Sequence, residues 1–481
     1  MQYYLAIDIG ASSGRHILSS VQDGRMVLEE IYRFDNKQLQ KNGHDCWDIA
    51  YLWDCILQGM RACADAGKIP VSVGIDTWAV DFVLVDAAGN RVSDAVAYRD
   101  TRTVGIREQL EKTLPFAQHY AQTGIQYQPF NTVYQLCALK AECPEQLAAS
   151  ERMLMIPDYF HYLLTGKMVQ EYTNATSTGL VNAQSNQWDD ALIAQLDLPR
   201  KIFAEITMPG QVVGMLQEKI QTAVGYNCEV VLPATHDTGS AFLAVPATTD
   251  TAVYISSGTW SLLGVENKAP ITTPESMAQN FTNEGGYAYR YRYLKNIMGL
   301  WMIQSIRREL NGLNYIEGKE TRGKAEKQYS FAELCALAAM SQSFPSIIDV
   351  DNEAFLAPES MIDAVKQVCA QTGQVVPDTI GELMQCVYAS LAQKYKECID
   401  ALQTLTGKTY TCIHIVGGGS NASYLNELCA KATGLPVYAG PTEGTALGNA
   451  MVQMLADNQF EDLAAARLAI PKSFEIKEIT P

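Results

Sequence analysis

An acidic residue set in an apolar strand, two positions ahead of a turn of small residues, is an uncommon arrangement, and AIDIGASSGR, Ala6 to Arg15, contains it. The turn offers backbone N–H groups and the hydroxyls of Ser12 and Ser13, with Arg15 close behind, a set that suits phosphate oxygens. Asp8 could then hold, directly or through water, the Mg²⁺ that accompanies a nucleotide. The competing reading is a tight hairpin whose serines bond their own backbone. No G-x-x-x-x-G-K-[ST] occurs in the chain, so the turn is not a Walker loop. SSGTWS, Ser256 to Ser261, repeats the arrangement with Ser257 and Thr259 at its turn, and two such turns could grip one polyphosphate from opposite sides.

Three further stretches carry residue types suited to group transfer. In ATHDTGSAF, Ala234 to Phe242, Asp237 follows an apolar strand and could accept the proton of a substrate hydroxyl as phosphoryl transfer begins. The alternative is an Asp that caps the next helix. His236 reads either as a ligand to a sugar oxygen or as a structural hydrogen-bonder. IHIVGGGSNASYLNELCAKATG, Ile413 to Gly434, is a strand, a glycine-rich turn and a helix. Gly417, Gly419 and Ala422 fit the dinucleotide fingerprint, but too little chain follows for a dinucleotide domain, and the next strand, PVYAG, ends without an acidic residue. Gly418 is instead expected against a nucleoside, and a helix entry needing positive φ is the alternative. KNIMGLWMIQ, Lys295 to Gln304, reads as the start of a helix with Ile297, Leu300, Trp301 and Ile303 inward and Asn296 and Gln304 as its polar exceptions. GIDTWAVDFVLVD and YRDTRT bring aromatics beside carboxylates and arginines, which a sugar site uses and which many α/β rims also contain.

The elements that must position these residues are those of an α/β protein. Apolar runs such as YLAIDI, VSVGID, FVLVD, EVVLPA, AVYIS and IHIVG alternate with helical segments such as YLWDCILQGMRACADA, apolar at Leu52, Cys55, Ile56 and Met60. The early runs follow one another through a DG turn at Asp23 and Gly24 with no helix between, so the sheet is expected to be mixed. YLAIDIGASSGR and VYISSGTWSLLG echo each other, which predicts two related domains, 1–245 and 246–481. The charged stretch Asn311 to Gln328 is expected to be a surface excursion.

With 47% hydrophobic residues among 481, a large core is available, and the length favours two domains. A net charge of −17 with no cationic block excludes nucleic acid and anionic membranes as expected partners. No apolar run is long enough to span a bilayer, the N-terminus lacks a signal-peptide pattern, and the 12 cysteines are scattered without metal-ligand spacing. A cytoplasmic protein without disulfides is expected.

In order and spacing, DIGASSGR, GIDTWAVDF, AYRDTRT, PDYFHYLLTG, EYTNATSTGLVN, HDTGSA, SSGTWS, KNIMGLW and IVGGGSN resemble the FGGY carbohydrate kinases over nearly the whole chain. The resemblance implies two ribonuclease-H-like domains of the actin/hexokinase/Hsp70 superfamily with mixed sheets, ATP between them and a sugar mainly on the first. It implies that Ala11, Ser12, Ser13, Gly14 and Arg15 form the first phosphate turn, that Thr259 and Gln304 contact ATP, and that Gly418 belongs to the adenosine loop. His236, Asp237, Thr238 and Asn296 match substrate positions, with Asp237 as the proton acceptor. Ala79 replaces the glycine of the family's GIDTWG, so a sugar contact there requires room for a methyl group. PDYFHYL stands where glycerol and xylulose kinases carry P-x-x-K-x-x-W, which points to the members that phosphorylate L-rhamnulose at its C1 hydroxyl, with ATP and Mg²⁺. L-fuculose is the nearest competing ketose, and Trp78, Phe82 or Phe130 would wall the 6-deoxy carbon. A non-catalytic ATP switch of the same superfamily is the alternative, disfavoured by the paired sugar motifs HDTGSA and GIDTWAVDF.

Overall fold

The computed structural model describes residues 1–316, 319–322, 327–356 and 358–481. They form two compact units, and neither is one stretch of chain: the first comprises Met1–Thr248, Glu266–Leu294 and Gly444–Ser473, the second Thr249–Val265, Lys295–Glu443 and Phe474–Pro481.

The first unit is built on β1 (Tyr3–Ile9), β2 (Ser13–Gln22), β3 (Arg25–Asp35), β4 (Pro70–Thr77), β5 (Val212–Met215) and β6 (Glu229–Val231), in the order β5-β6-β4-β1-β2-β3. β1, β2 and β3 are antiparallel, whereas β4 runs parallel to both β1 and β6, so the sheet is mixed as expected. Tyr4 to Ile7 are fully buried because layers cover both faces of β1. Asp23 and Gly24 both take positive φ between β2 and β3, the geometry that an Asp-Gly hairpin turn supplies at low cost. The helix Ile49–Asp65, capped by the Asp48 side chain on the N–H of Tyr51, buries Leu52, Cys55, Ile56 and Met60.

In the second unit β7 (Ala252–Ser257) pairs antiparallel with β8 (Trp260–Asn267). β9 (Thr282–Gly285) and β10 (Tyr291–Met298) form a hairpin whose paired residues belong to the first unit. β11 (Cys412–Val416) lies parallel to β7, β12 (Val437–Ala439) parallel to β11, and β13 (Lys477–Ile479) antiparallel to β12. Each unit thus opens on a strand with an antiparallel partner on one side and a parallel one on the other, which is the echo seen in the sequence.

One local expectation changes. Lys295 to Met298 complete β10, and the helix begins only at Trp301 and runs to Leu310. Gly299 separates the two because a Cβ there would lie 2.6 Å from the backbone of Trp260 and Ser261. Within the expected surface excursion, Leu313–Ile316 and Lys319–Arg322 form an antiparallel hairpin, while residues 317–318 and 323–326 lie outside the described residues. Among the described residues no helix is long and apolar enough to cross a membrane.

The helix Gly444–Ala456 closes the first unit. It packs against the helix Asp237–Leu243 so closely that a Cβ on Gly448 would lie 1.8 Å from the carbonyl oxygen of Ser240. The next residue, Asn449, donates to the Gly74 carbonyl and to Asp76 Oδ2, and one turn further Gln453 donates to the Leu5 carbonyl and accepts from Ser72. A methyl at 448 must push the two helices apart. Gly448→Ala is therefore expected to destabilise the first unit by about 1–3 kcal/mol, read as a lower urea midpoint at unchanged slope.

Candidate active site

Strand register brings the first acidic residue to its neighbours. Asp8 on β1 lies opposite Arg15 on β2 and beside Asp76 on β4. Arg15 donates to Asp8 Oδ2 through Nε at 3.0 Å and Nη2 at 2.8 Å. Asp8 Oδ1 receives no hydrogen bond among the described residues, and the residue is almost fully buried. Asp76 is wholly buried, takes 2.6 Å from Asn449 on Oδ2 and has no partner on Oδ1. Burial, and then the Asp8 charge, push its carboxyl well above the usual carboxylate range.

The turn after β1 is closed by the Gly10 N–H on the Ser13 carbonyl at 2.9 Å and not by the serine hydroxyls. Asn36 braces it, its backbone N–H on the Ser12 carbonyl and its side chain on the Gly10 carbonyl, both at 2.9 Å. The Ser12 and Ser13 hydroxyls and the N–H groups of Ala11 and Ser12 carry no hydrogen bond among the described residues, and Ala11 and Ser12 are exposed. Gly14 admits no side chain, since the Phe34 ring occupies that space.

In the second unit the turn between β7 and β8 leaves Thr259 exposed, but Ser257 is buried rather than presented. Its hydroxyl lies 1.9 Å from where a Cβ of Gly419 would be, and Gly417, at φ +85°, approaches its carbonyl. Gly418 is exposed with open space at its Cα. Gln304 lies on the first turn of the helix Trp301–Leu310, and Asn296 on β10 keeps a buried Oδ1 without a partner.

Asp237 is the first residue of its helix, with His236 at the cap position. Its Oδ1 accepts from the Thr238 N–H at 2.6 Å and the Thr238 hydroxyl at 3.1 Å, and lies 3.4 Å from His236 Nε2. Oδ2 has no partner among the described residues, and a third of the side chain reaches solvent. Desolvation raises the Asp237 carboxyl, His236 pulls it down, and Asp8 adds to the rise. His236 is held by β4, which bridges to it at Thr77, and by Thr173, whose hydroxyl accepts from the His236 N–H at 3.2 Å.

The chain resembles known proteins along nearly its whole length. The model of the N-terminal domain of the FGGY family of carbohydrate kinases matches residues 3–244, and that of its C-terminal domain matches residues 253–456. The chain belongs to the FGGY family of carbohydrate kinases. It is 47% identical to a rhamnulokinase of Oceanobacillus iheyensis over 99% of this chain and 97% of that protein. Identity to a rhamnulokinase of Bacillus subtilis is 42% over 99% of this chain and 95% of the other. Among solved structures, a ligand-bound xylulose kinase from Lactobacillus acidophilus shares the fold at TM-score 0.81 and 16% identity, covering 100% of this chain and 94% of that one. Plasmodium falciparum glycerol kinase with ADP does so at TM-score 0.77 and 14% identity, covering 99% and 94%.

Of the residues expected from the FGGY motifs, the first unit brings together Asp8, Ala11 to Arg15, His236, Asp237 and Thr238, with Ala79 on the segment after β4. Thr259, Asn296, Gln304 and Gly418 belong to the second. Ala79 is partly exposed, and the strained residue is its neighbour. Val80 has φ +67°, with Asp81 N–H returning to the Ala79 carbonyl, a γ-turn that a β-branched residue rarely adopts. Thr132 and Gln135 hold the Val80 carbonyl, and Ser177 accepts from its N–H. Phe82 is buried in the core, whereas Trp47, Trp78, Tyr98 and Phe130 form a continuous aromatic row.

Sequence reasoning missed the residues that brace the site. Glu171, fully buried, accepts from the N–H and hydroxyl of both Thr173 and Thr235 and from the Asn174 N–H. Its position in the EYTNATSTG motif was visible, but its partner Thr235 is distant in sequence. Asp81 accepts from the indoles of Trp47 and Trp78, from the Tyr98 N–H and from Gln135.

Burial outweighs those donors and raises Asp81 to about 6 from its ordinary 3.8. The folded chain thus holds this proton more tightly than the unfolded chain. Asp81 weakens the fold above pH 6, and that cost disappears as pH falls toward 4. Two pK units correspond to about 3 kcal/mol, so the stability of the wild type relative to Asp81→Asn should rise by up to that amount between neutral pH and pH 4 in urea titrations.

Proposed function

We propose that this chain transfers the γ-phosphoryl group of ATP to the C1 hydroxyl of L-rhamnulose, giving L-rhamnulose 1-phosphate and ADP, in the cytoplasmic breakdown of L-rhamnose. The chemistry rests on one observation, the divided carboxylate of Asp237: Oδ1 is saturated by Thr238 and Oδ2 is bare and partly exposed. The identity of the acceptor is supported by the rhamnulokinases that resemble the chain along its length.

In this reading Asp237 Oδ2 takes the C1 hydroxyl proton as the hydroxyl oxygen bonds to the γ-phosphorus. The bond from the γ-phosphorus to the bridging oxygen breaks, and ADP leaves with the electron pair. His236, Thr238, Asn296 and the Ala79 segment bind the ketose. The unbonded N–H groups of Ala11 and Ser12, with Ser13, Gly14 and Arg15, meet phosphate oxygens. Thr259, Gln304 and Gly418 serve the nucleotide; Gly418 is suited to it because nothing crowds its Cα. The limits of the two family models support a functional division near residue 245.

Asp8 fits the Mg²⁺ that accompanies ATP. Arg15 occupies only its Oδ2, and Oδ1 is open to the ion or its water. Among the described residues no group of three or more His, Cys, Asp or Glu forms a protein cage for a metal. A single carboxylate supplemented by phosphates and water is how Mg²⁺ is commonly held. When bound, the ion neutralises charge on the phosphates being separated.

ADP release should be fastest with L-rhamnulose in a panel with L-fuculose, L-ribulose, D-xylulose and glycerol. ATP turnover indifferent to every ketose would overturn the kinase reading, and preference for L-fuculose would overturn the substrate. Asp237→Asn is expected to lower kcat by roughly 10²- to 10⁴-fold while KM for ATP changes little; near-normal turnover would remove Asp237 as the base.

A further inference from the structure

Next to Asp237 lies a charged group that the phosphoryl-transfer reading does not use. Glu284 on β9 and Arg292 on β10 are directly opposite one another in the hairpin, both buried, and Arg292 is the largest fully buried side chain among the described residues. Arg292 Nε donates to the Gly285 carbonyl at 2.9 Å, and Nη1 forms an ion pair with Glu284 Oε2 at 3.1 Å. Its remaining nitrogen, Nη2, lies 3.1 Å from His236 Nδ1 in hydrogen-bonding geometry. Glu284 Oε2 is also 3.2 Å from Nδ1, a charge contact that lowers the Glu284 carboxyl but falls short of hydrogen-bond geometry.

A guanidinium has donors only, and it stays protonated. A ring nitrogen that faces it at 3.1 Å in this geometry must therefore be the lone-pair nitrogen. In a neutral imidazole the proton then sits on the other nitrogen, Nε2, which faces Asp237 Oδ1 at 3.4 Å. Glu284 supplies the counter-charge that makes a buried Arg292 tolerable, since an unpaired buried cation would be costly.

We propose that Arg292, neutralised by Glu284, is a positioning residue that holds His236 as the neutral imidazole with its proton on Nε2, turned toward Asp237. This rests on the reading of Asp237 as the base and deepens it. Thr238 occupies Oδ1, the Nε2 proton faces that same oxygen at 3.4 Å, and Oδ2 is left as the oxygen free to take a proton. Other groups border the cluster: Glu171 and Tyr172 act on Arg292, and Asp8 acts on Asp237. Without Arg292, His236 would stand between Glu284 and Asp237 and gain a proton, because two carboxylates would face it and no cation would.

The test begins on the unmodified chain, labelled with ¹⁵N in its histidines, with the His236 signals assigned by their loss in His236→Gln. At neutral pH the ring should show a pyridine-type Nδ1 and a pyrrole-type Nε2. A pyrrole-type Nδ1, or a doubly protonated ring, overturns the proposal whether or not any variant folds. In Arg292→Met the same ring should become doubly protonated, and kcat should fall roughly 10-fold or more with KM for ATP within about threefold. An unchanged ring pattern in that variant, with or without a loss of turnover, means that Arg292 acts on stability alone and also overturns the proposal. The two readings fail separately: the expected tautomer together with normal turnover in Asp237→Asn would discard Asp237 as the base and leave the tautomer assignment standing.

Discussion

No side chain fits at position 448, and much of the first unit follows from that closeness. The backbone of the helix Gly444–Ala456 rests on the carbonyl of Ser240, in the helix that Asp237 begins. From there Asn449 and Gln453 reach strand carbonyls at Gly74 and Leu5 and a buried carboxylate at Asp76. One interhelical distance thus sets where the proposed base stands relative to β1 and β4. Phosphoryl transfer depends on placement more than on covalent chemistry, so a device that fixes distance acts directly on rate.

The first unit buries several carboxylates, and their hydrogen bonds separate them into two kinds. Glu171 and Asp81 are filled, the one by threonine hydroxyls and amides, the other by two indoles, an amide N–H and a glutamine. Nothing is left over for a ligand, and these acids act as fasteners between segments far apart in the chain. Asp8, Asp76 and Asp237 each have one oxygen engaged and one unoccupied. A half-used carboxylate in a low-dielectric setting is expensive to maintain. At Asp8 and Asp237 the unoccupied oxygen is what the proposed metal and proton-acceptor roles require.

Much of this was legible in the sequence. The mixed sheet followed from consecutive strands joined by Asp23-Gly24, and the echo between YLAIDIG and VYISSG corresponds to the same strand arrangement in both units. Motif residues are visible because they carry a local pattern: a strand, then small residues, then a polar group. What was not legible is what joins distant segments. Glu171 meets Thr235, Glu284 and Arg292 meet His236, and Asn449 meets Asp76 across separations at which spacing carries no information. Strain escaped for a different reason, because a valine gives no signal that it will be held at positive φ by Thr132, Gln135 and Ser177. The helix expected from Lys295 began late because Gly299 meets backbone from Trp260 and Ser261, a contact no helical periodicity records.

The first unit is interrupted: its closing segment, Gly444–Ser473, follows the whole of Lys295–Glu443, which belongs to the other unit. During synthesis from the N-terminus, the ribosome therefore delivers the Gly74 carbonyl, Asp76 and the Leu5 carbonyl long before their partners Asn449 and Gln453 exist. The face of the nascent sheet on which the helix packs stays uncovered until residues Gly444–Ala456 have been translated. A product truncated between residues 243 and 444 retains HDTGSA with the proposed base yet lacks the helix that seats it, so the site cannot be complete until that helix has been made.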